Sequence, residues 1–164
     1  MKKYELTAES IVKFGRTLFR IKALVAFGNV EEGELGGFVE KEGNLDQSGN
    51  AWVSDNAQVF GDARVSDNAR VFGDAQVFRM YHYLTVGPLG SRDGFTTFFR
   101  TKHLTIGVKC GCFKGDIDQF FEAVEKTHGN NKHARAYKAA IALAKLQIDL
   151  DEEDSDEEET GKES

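Results

Sequence analysis

The most regular pattern of hydrophobic and polar positions along this chain has a period of six residues. Between residues 47 and 78 a valine recurs at every sixth position, and an alanine stands two positions before each valine. Amphipathic helices repeat about every 3.6 residues and half-buried strands every two, so neither element explains this spacing. A six-residue repeat is typical of a β-solenoid with three-sided coils. The repeated residues are Val53, Val59, Val65, Val71 and Val77, with Ala51, Ala57, Ala63, Ala69 and Ala75.

The repeat predicts about two coils over residues 47–82, because three hexads make one coil. The valines and alanines would point inward. Glycine, asparagine and aspartate between them would form the corners, since these residues tolerate a left-handed backbone. The predicted corner residues are Gly49, Asn50, Asp55, Asn56, Gly61, Asp62, Asp67, Asn68, Gly73 and Asp74.

The residue after each valine would point outward, and three of these residues are the phenylalanines Phe60, Phe72 and Phe78. Large apolar side chains on a solvated surface mark contact sites. We expect these faces to pack on a partner subunit or on the C-terminal module, with scattered exposure as the alternative. The three phenylalanines are therefore the predicted interface of a homo-oligomer, with a dimer and a trimer both open.

The flanking segments predict a mainly β protein with an α+β module at its C-terminal end. Residues 1–46 are expected to form an N-terminal β cap over the open end of the solenoid. Residues 83–114 predict strands, and residues 116–148 predict two helices, which together make a binding module over 83–148. Asp116 and Gln119 are spaced as a capping box, and Gly129 is expected to end the first helix.

Charge divides the chain in a way that its total of −6 conceals. Residues 149–164 contain ten acidic residues and one lysine, a charge of −9, so the remainder carries −6 + 9 = +3. Residues 83–148 contain ten basic and five acidic residues, which gives the module +5. We expect a disordered acidic tail over 149–164. A mimic of a nucleic-acid backbone, or a lid on the basic module, is the alternative.

The sequence lacks the marks of a membrane or secreted protein. No run of about 18 apolar residues is present, and the N-terminus lacks the apolar stretch of a secretory signal. Cys110 and Cys112 are too close in sequence for an unstrained disulfide, which indicates a reducing compartment.

Two glycine-rich segments, GPLGSRDG and GCFKGD, form the best candidate site. Each follows a predicted strand, and the second leads into a helix N-terminus, where backbone N–H groups attract anions. The predicted ligand-binding residues are Gly90, Ser91, Arg92, Lys114 and Gly115. The alternative is an ordinary hairpin followed by a capped helix, since neither segment has the spacing of a known phosphate-binding motif.

Other chemistry has weaker support. Cys110 and Cys112 with His128 and His133 lack the paired spacing of a zinc site, so no metal and no cofactor are expected. No serine or cysteine has a recognisable catalytic base, and His82 lacks a sequence partner. The phenylalanines of the module next to its arginines are better explained as strand core than as a nucleic-acid surface, so direct DNA binding is not expected.

Residues 47–78 resemble the hexapeptide repeats of the left-handed parallel β-helix, a superfamily rich in acyltransferases. The resemblance implies a short left-handed β-helix of about two coils. The longer segment from TLFRIKALVAFGNV to NAQVFGDA, and the segments VGPLGSRDGFTTFF and VKCGCFKGDIDQFFEAVEKTHGNN, resemble phage and prophage proteins. That resemblance implies a phage accessory protein acting in the host bacterial cytoplasm. Such phage proteins often counter host defence.

These observations together predict a non-enzymatic binding protein that blocks a host immune component. Its partner would be a host defence protein or a nucleotide signal, engaged by protein docking, by nucleic-acid mimicry or by nucleotide sequestration. The alternatives are a hexapeptide-repeat acyltransferase and a structural virion protein. The acyltransferase alternative is weakened because fold does not imply function, and because no long loop carrying a catalytic histidine interrupts the repeats.

Overall fold

The computed structural model describes residues 2–150, so residues 151–164 of the predicted acidic tail lie outside the described residues. The described chain is mainly β, with a pair of helices at its C-terminal end. None of its helices is long and apolar enough to cross a lipid bilayer.

A hairpin opens the fold and leads into the repeats. Strands β1 (Tyr4–Lys13) and β2 (Arg16–Ala23) pair antiparallel, and β2 also pairs with β3 (Leu35–Val39). β3 then pairs in parallel with the repeat strand Gln58–Val59, Phe38 with Gln58. The N-terminal segment therefore extends the sheet of the repeats as well as covering it.

The repeats form short parallel strands with a register of eighteen residues. β4 (Trp52–Val53) pairs with β6 (Arg70–Val71), and β5 (Gln58–Val59) pairs with β7 (Gln76–Val77). The repeated valines and alanines are all buried, each no more than 2% exposed. The backbone is left-handed at the predicted corner residues Gly49, Asp55, Gly61, Asp67 and Gly73, with φ between 56° and 74°.

Phe60 and Phe78 correct the prediction of an outward-facing oligomer interface. They are 0% and 1% exposed, and their rings stack with centroids 5.1 Å apart. The N-terminal hairpin covers them, because its side chains form one buried cluster with these two rings. Both residues thus belong to the core of a single chain. The covering residues are Ile11, Phe14 and Leu18 of the hairpin, with Phe38 of β3.

The C-terminal module is a four-stranded antiparallel sheet with two helices on one face. The strands are β8 (Tyr83–Leu89), β9 (Gly94–Arg100), β10 (Ile106–Cys110) and β11 (Phe113–Asp116), and the helices are α1 (Ile117–His128) and α2 (Lys132–Gln147). The strand order in the sheet is β11-β10-β9-β8, and the helices pack on the face that carries Phe98 and Val108.

The opposite face of this sheet packs on the repeats. Phe72 contacts Phe99 edge-on, with ring centroids 5.2 Å apart, and the Arg70 backbone N–H donates to Thr97 Oγ1 at 2.9 Å. The Tyr83 hydroxyl donates to the Arg64 carbonyl. Phe72 therefore packs, half-buried, on the C-terminal module, which the sequence offered as one of its two possibilities.

The capping box that begins α1 is confirmed. Asp116 Oδ1 accepts from the Gln119 backbone N–H at 2.8 Å, and Gln119 Oε1 accepts from the Asp116 N–H at 3.0 Å. Gly129 follows the last residue of α1 with a φ of 61°. These features are local in sequence, which explains why the sequence predicts them.

Lys3 is a buried cation in the repeat core, and we expect it to make stability depend on pH. Its Nζ donates to the Ala51 carbonyl at 2.8 Å, and only 4% of the residue is exposed. Burial lowers the pKa of Lys3 from 10.5 to about 8, against the opposing charge of Asp46. The folded state therefore prefers the neutral amine, so the free energy of unfolding should rise as the pH rises through this interval.

Urea unfolding of the wild type and of Lys3→Met at about pH 7.5 and about pH 9.5 tests this expectation. The wild type should gain stability relative to Lys3→Met at the higher pH. An equal pH dependence of the two proteins would show that Lys3 titrates normally.

Candidate functional site

The five predicted ligand-binding residues do not form one site. Gly90, Ser91 and Arg92 lie in the turn between β8 and β9. At Gly90 an added Cβ would lie 2.0 Å from the Tyr137 hydroxyl, so this part of the turn packs on α2. Lys114 instead lies over the ring of Phe72 on the side of the repeats, with Nζ 5.3 Å from the ring centroid.

Lys114 and Gly115 are also part of a strand, whereas the sequence analysis placed their glycine-rich segment after a strand. β11 pairs with β10, and the turn that joins them is at Gly111 and Cys112. The neighbouring N-terminus of α1 is closed by its own capping box, as described above. The residues of the predicted anion site therefore lie in two separate places, and the helix N–H groups that it would use are partly bonded to the capping box.

A different group of cations converges beside Phe72. Arg70, Lys109 and Lys114 line a groove of about 200 Å³ between the repeats and the C-terminal sheet, which we call the basic groove. Trp52 and Phe72 line the same groove. Its remaining lining residues are Asn29, Val30, Glu34, Ser54 and Asp55.

Sheet register brings the three cations together. Lys109 lies opposite Thr97 on one side and Lys114 on the other, and cross-strand partners share a face of the sheet. Arg70 stands next to the buried Val71 in β6, and its backbone N–H binds the hydroxyl of Thr97. The same threonine therefore connects the repeat to the row that carries both lysines.

The hydrogen bonds and the ring contact that these cations make among residues 2–150 are to neutral groups. An Arg70 Nη1 N–H donates to Asn29 Oδ1, and Lys109 Nζ donates to the Gly111 carbonyl. Lys114 makes the contact with the Phe72 ring already described. Of the described ion pairs, none includes these three side chains.

The two carboxylates in the groove accept hydrogen bonds from the backbone. Asp55 Oδ2 accepts from the Gly73 N–H at 3.1 Å, and Glu34 Oε1 accepts from the Glu31 N–H at 3.2 Å. Three cations face two carboxylates that are thus engaged, which leaves the groove with an excess of positive charge.

Burial shifts the pKa values of Lys109 and Arg70, and neighbouring charges modify both shifts. Burial, and then the charges of Lys114 and Arg70, lower the pKa of Lys109 below its usual value. Burial also lowers the pKa of Arg70, against the opposing charge of Glu34. An anion in the groove would favour the charged form of both groups, so binding and protonation reinforce each other.

Trp52 provides an unused hydrogen-bond donor beside the groove. The residue is 2% exposed, and its indole N–H is buried with no acceptor among the described residues. A buried donor without a partner costs about 1–3 kcal/mol.

Sequence reasoning identified Lys114 but missed its partners. The sequence places Arg70 in the repeat and Lys109 in a predicted strand, and neither position marks a binding site. The available signal was the position of Arg70 beside an inward valine, which makes its side chain point away from the core. The strand register that joins it to residues 27 or more positions away is not encoded locally.

The other candidate chemical groups are engaged in structure. His82 is fully buried, and its Nδ1 accepts from the backbone N–H groups of Phe78 and Arg79 at 3.2 Å. Cys110 Sγ accepts from the Thr96 hydroxyl at 3.1 Å, whereas Cys112 is exposed. Within residues 2–150 no cluster of three or more histidine, cysteine or acidic side chains is arranged to hold a metal ion.

Neither the models of known protein families nor the curated proteins compared with this chain give a match. Evidence for function therefore comes from the basic groove and its physical chemistry.

Proposed function

We propose that this chain is a non-enzymatic binding protein that holds a phosphate-bearing anion in its basic groove. The observation that carries the proposal is the convergence of Arg70, Lys109 and Lys114 without an ion-pair partner among the described residues. Folding brings like charges together at a cost that a bound anion would reverse. Charge-assisted hydrogen bonds to such an anion contribute about 1.5–3 kcal/mol each.

We propose further that a phage uses this protein against a component of host defence in the bacterial cytoplasm. The resemblance to phage and prophage proteins supports this setting. Of the three predicted routes, sequestration of a small anion is the one that the basic groove supports. Nucleic-acid mimicry would depend on the acidic tail, of which residues 151–164 lie outside the described range.

In this proposal the repeats are a short left-handed β-helix that serves as a rigid wall of the groove. The eighteen-residue parallel register supports the coil length that such a helix requires. A rigid wall would hold Arg70 opposite the two lysines with little loss of entropy on binding. A homo-oligomer stays a prediction, and of the three phenylalanines assigned to its interface only Phe72 retains exposed surface.

The acyltransferase alternative loses its candidate base. A catalytic histidine must reach the substrate in a cleft, whereas His82 is enclosed and its Nδ1 accepts two backbone hydrogen bonds. Binding without chemistry is the function that these residues support better.

Replacing Lys114 by alanine should weaken the binding of pyrophosphate by about 10- to 100-fold at low ionic strength. Lys114 is exposed, so the loss should come from the missing charge and not from unfolding. Isothermal titration calorimetry gives the affinity, and a thermal melt checks the fold.

Two variants serve as controls in this experiment. Lys132→Ala removes the same charge from the start of α2, on the far side of the sheet, and should bind like the wild type. Arg92→Ala tests the site predicted from the sequence, and should also bind like the wild type. The proposal fails if wild-type protein gives no binding heat, or if all three variants lose affinity equally.

A further inference from the structure

The basic groove continues into a second groove of opposite character. This second groove has a volume of about 350 Å³ and shares Phe72 and Lys114 with the basic groove. We call it the acidic groove, because Asp74 and Asp116 line it. Its other lining residues are Gly73, Phe99, Thr101, Thr105, Gly107 and Gly115.

The acidic groove offers hydrogen-bond acceptors. Asp74 is half-buried, and its carboxylate lies 3.2 Å from His103 Nε2. Thr101 and Thr105 bond to each other through their hydroxyls at 2.6 Å, and Thr101 Oγ1 also accepts from the Thr105 N–H. Carboxylate and hydroxyl oxygens arranged in this way bind groups that donate O–H or N–H hydrogens.

An aromatic ring separates the two grooves. Phe72 lines both, and Phe99, which is only 2% exposed, supports the Phe72 ring by an edge-on contact. A flat heterocycle can pack on such a ring, since contact between bases and aromatic rings contributes about 1–3 kcal/mol per base. The site therefore combines cations, an aromatic ring and acceptors in that order.

We propose that the ligand is a nucleoside phosphate, with its phosphate in the basic groove and its nucleoside in the acidic groove. This inference rests on the proposed anion-binding function. A nucleoside phosphate is anionic at one end and carries ribose O–H and base N–H donors at the other. Phe72 and Lys114 lie where the two halves of the ligand meet.

Charge disfavours ligands that carry charge of one sign along both grooves. A uniform polyanion such as polyphosphate or an acidic peptide would place negative charge against Asp74 and Asp116. A uniform cation would meet Arg70, Lys109 and Lys114. A ligand whose charge and donors are divided along its length satisfies both grooves.

Calorimetry with pyrophosphate, ADP and GDP tests the inference on the full chain. At least one nucleoside diphosphate should bind tenfold or more tightly than pyrophosphate.

Asp74→Asn and Thr105→Val should reduce that advantage. Asp74→Asn should leave pyrophosphate affinity unchanged or raise it, because a repelling charge is removed. Asp93→Asn makes the same charge change in the turn between β8 and β9 and should change neither affinity.

The outcomes separate this inference from the proposed function. If pyrophosphate binds as tightly as both nucleotides, the acidic groove does not bind the nucleoside and the inference is overturned. The proposed anion-binding function is then still supported. If no anion binds, the proposed function itself fails. A tetranucleotide that binds tenfold more tightly than the mononucleotides would also overturn the inference, because it would identify a single-strand surface instead.

Discussion

Replacing Phe78 by alanine should lower the free energy of unfolding by about 3–5 kcal/mol. Phe78 is 1% exposed and stacks on Phe60, and the ring of His82 meets it edge-on at 4.5 Å. The Arg100 guanidinium lies 4.9 Å from the same ring centroid. Truncation would leave a cavity between the hairpin and the repeats and would remove all of these contacts. Urea unfolding followed by circular dichroism measures the change.

The same variant tests whether Phe78 is an interface residue. Because the N-terminal hairpin of the same chain covers it, the molar mass from light scattering should equal that of the wild type under native conditions. Phe95→Ala removes an equal side chain that is 41% exposed, and should cost less than about 1 kcal/mol. A lower molar mass with little loss of stability in Phe78→Ala would restore the predicted oligomer interface.

The repeat could be predicted from sequence because its signals are local and numerous. Each hexad contains its own inward valine, its own small residue and its own corner, so one misread position does not change the pattern. The left-handed backbone at Asp55 and Asp67 follows the same rule as that at the glycines. The capping of α1 was predictable for a related reason, since Asp116 and Gln119 are three residues apart.

What covers the repeats could not be predicted in the same way. The hexad correctly indicates that Phe60 and Phe78 point away from the valine core, but it contains no information on what lies outside. The answer is the hairpin of β1 and β2, whose first strand has the sequence YELTAESIVK. That strand lacks a clear alternation of apolar and polar residues, so the sequence does not locate it within the predicted β cap.

The basic groove has the same origin in long-range contacts. Lys114 was identified because it stands beside a glycine and a helix start, yet its neighbours in space are Phe72 and Lys109. Arg70 belongs to the repeat, and one hydrogen bond from its backbone N–H to Thr97 Oγ1 connects it to the C-terminal sheet. Net charge per segment did indicate that the C-terminal module is basic. The position of that charge depends on strand register, which a single sequence does not specify.

Asn44 illustrates how one hexad position can have two unrelated roles. Asparagine recurs at spacing six at Asn44, Asn50 and Asn56, so the pattern treats these residues alike. Asn50 and Asn56 are exposed, whereas Asn44 is 0% exposed. Its side chain accepts from the backbone N–H groups of Glu40 and Lys41, and donates to two carbonyls 17 and 19 residues later, those of Gly61 and Ala63.

Replacing Asn44 by alanine should therefore lower the free energy of unfolding by about 3 kcal/mol or more, since each buried group left without a partner costs about 1–3 kcal/mol. The Gly61 and Ala63 carbonyls bear most of this loss, because both residues are buried while Lys41 is exposed. Asn50→Ala makes the same chemical change at an exposed site and should cost less than about 0.5 kcal/mol. Urea unfolding of the two variants side by side measures the difference. Equal stabilities would mean that Asn44 is an ordinary corner residue and that its four hydrogen bonds contribute little to stability.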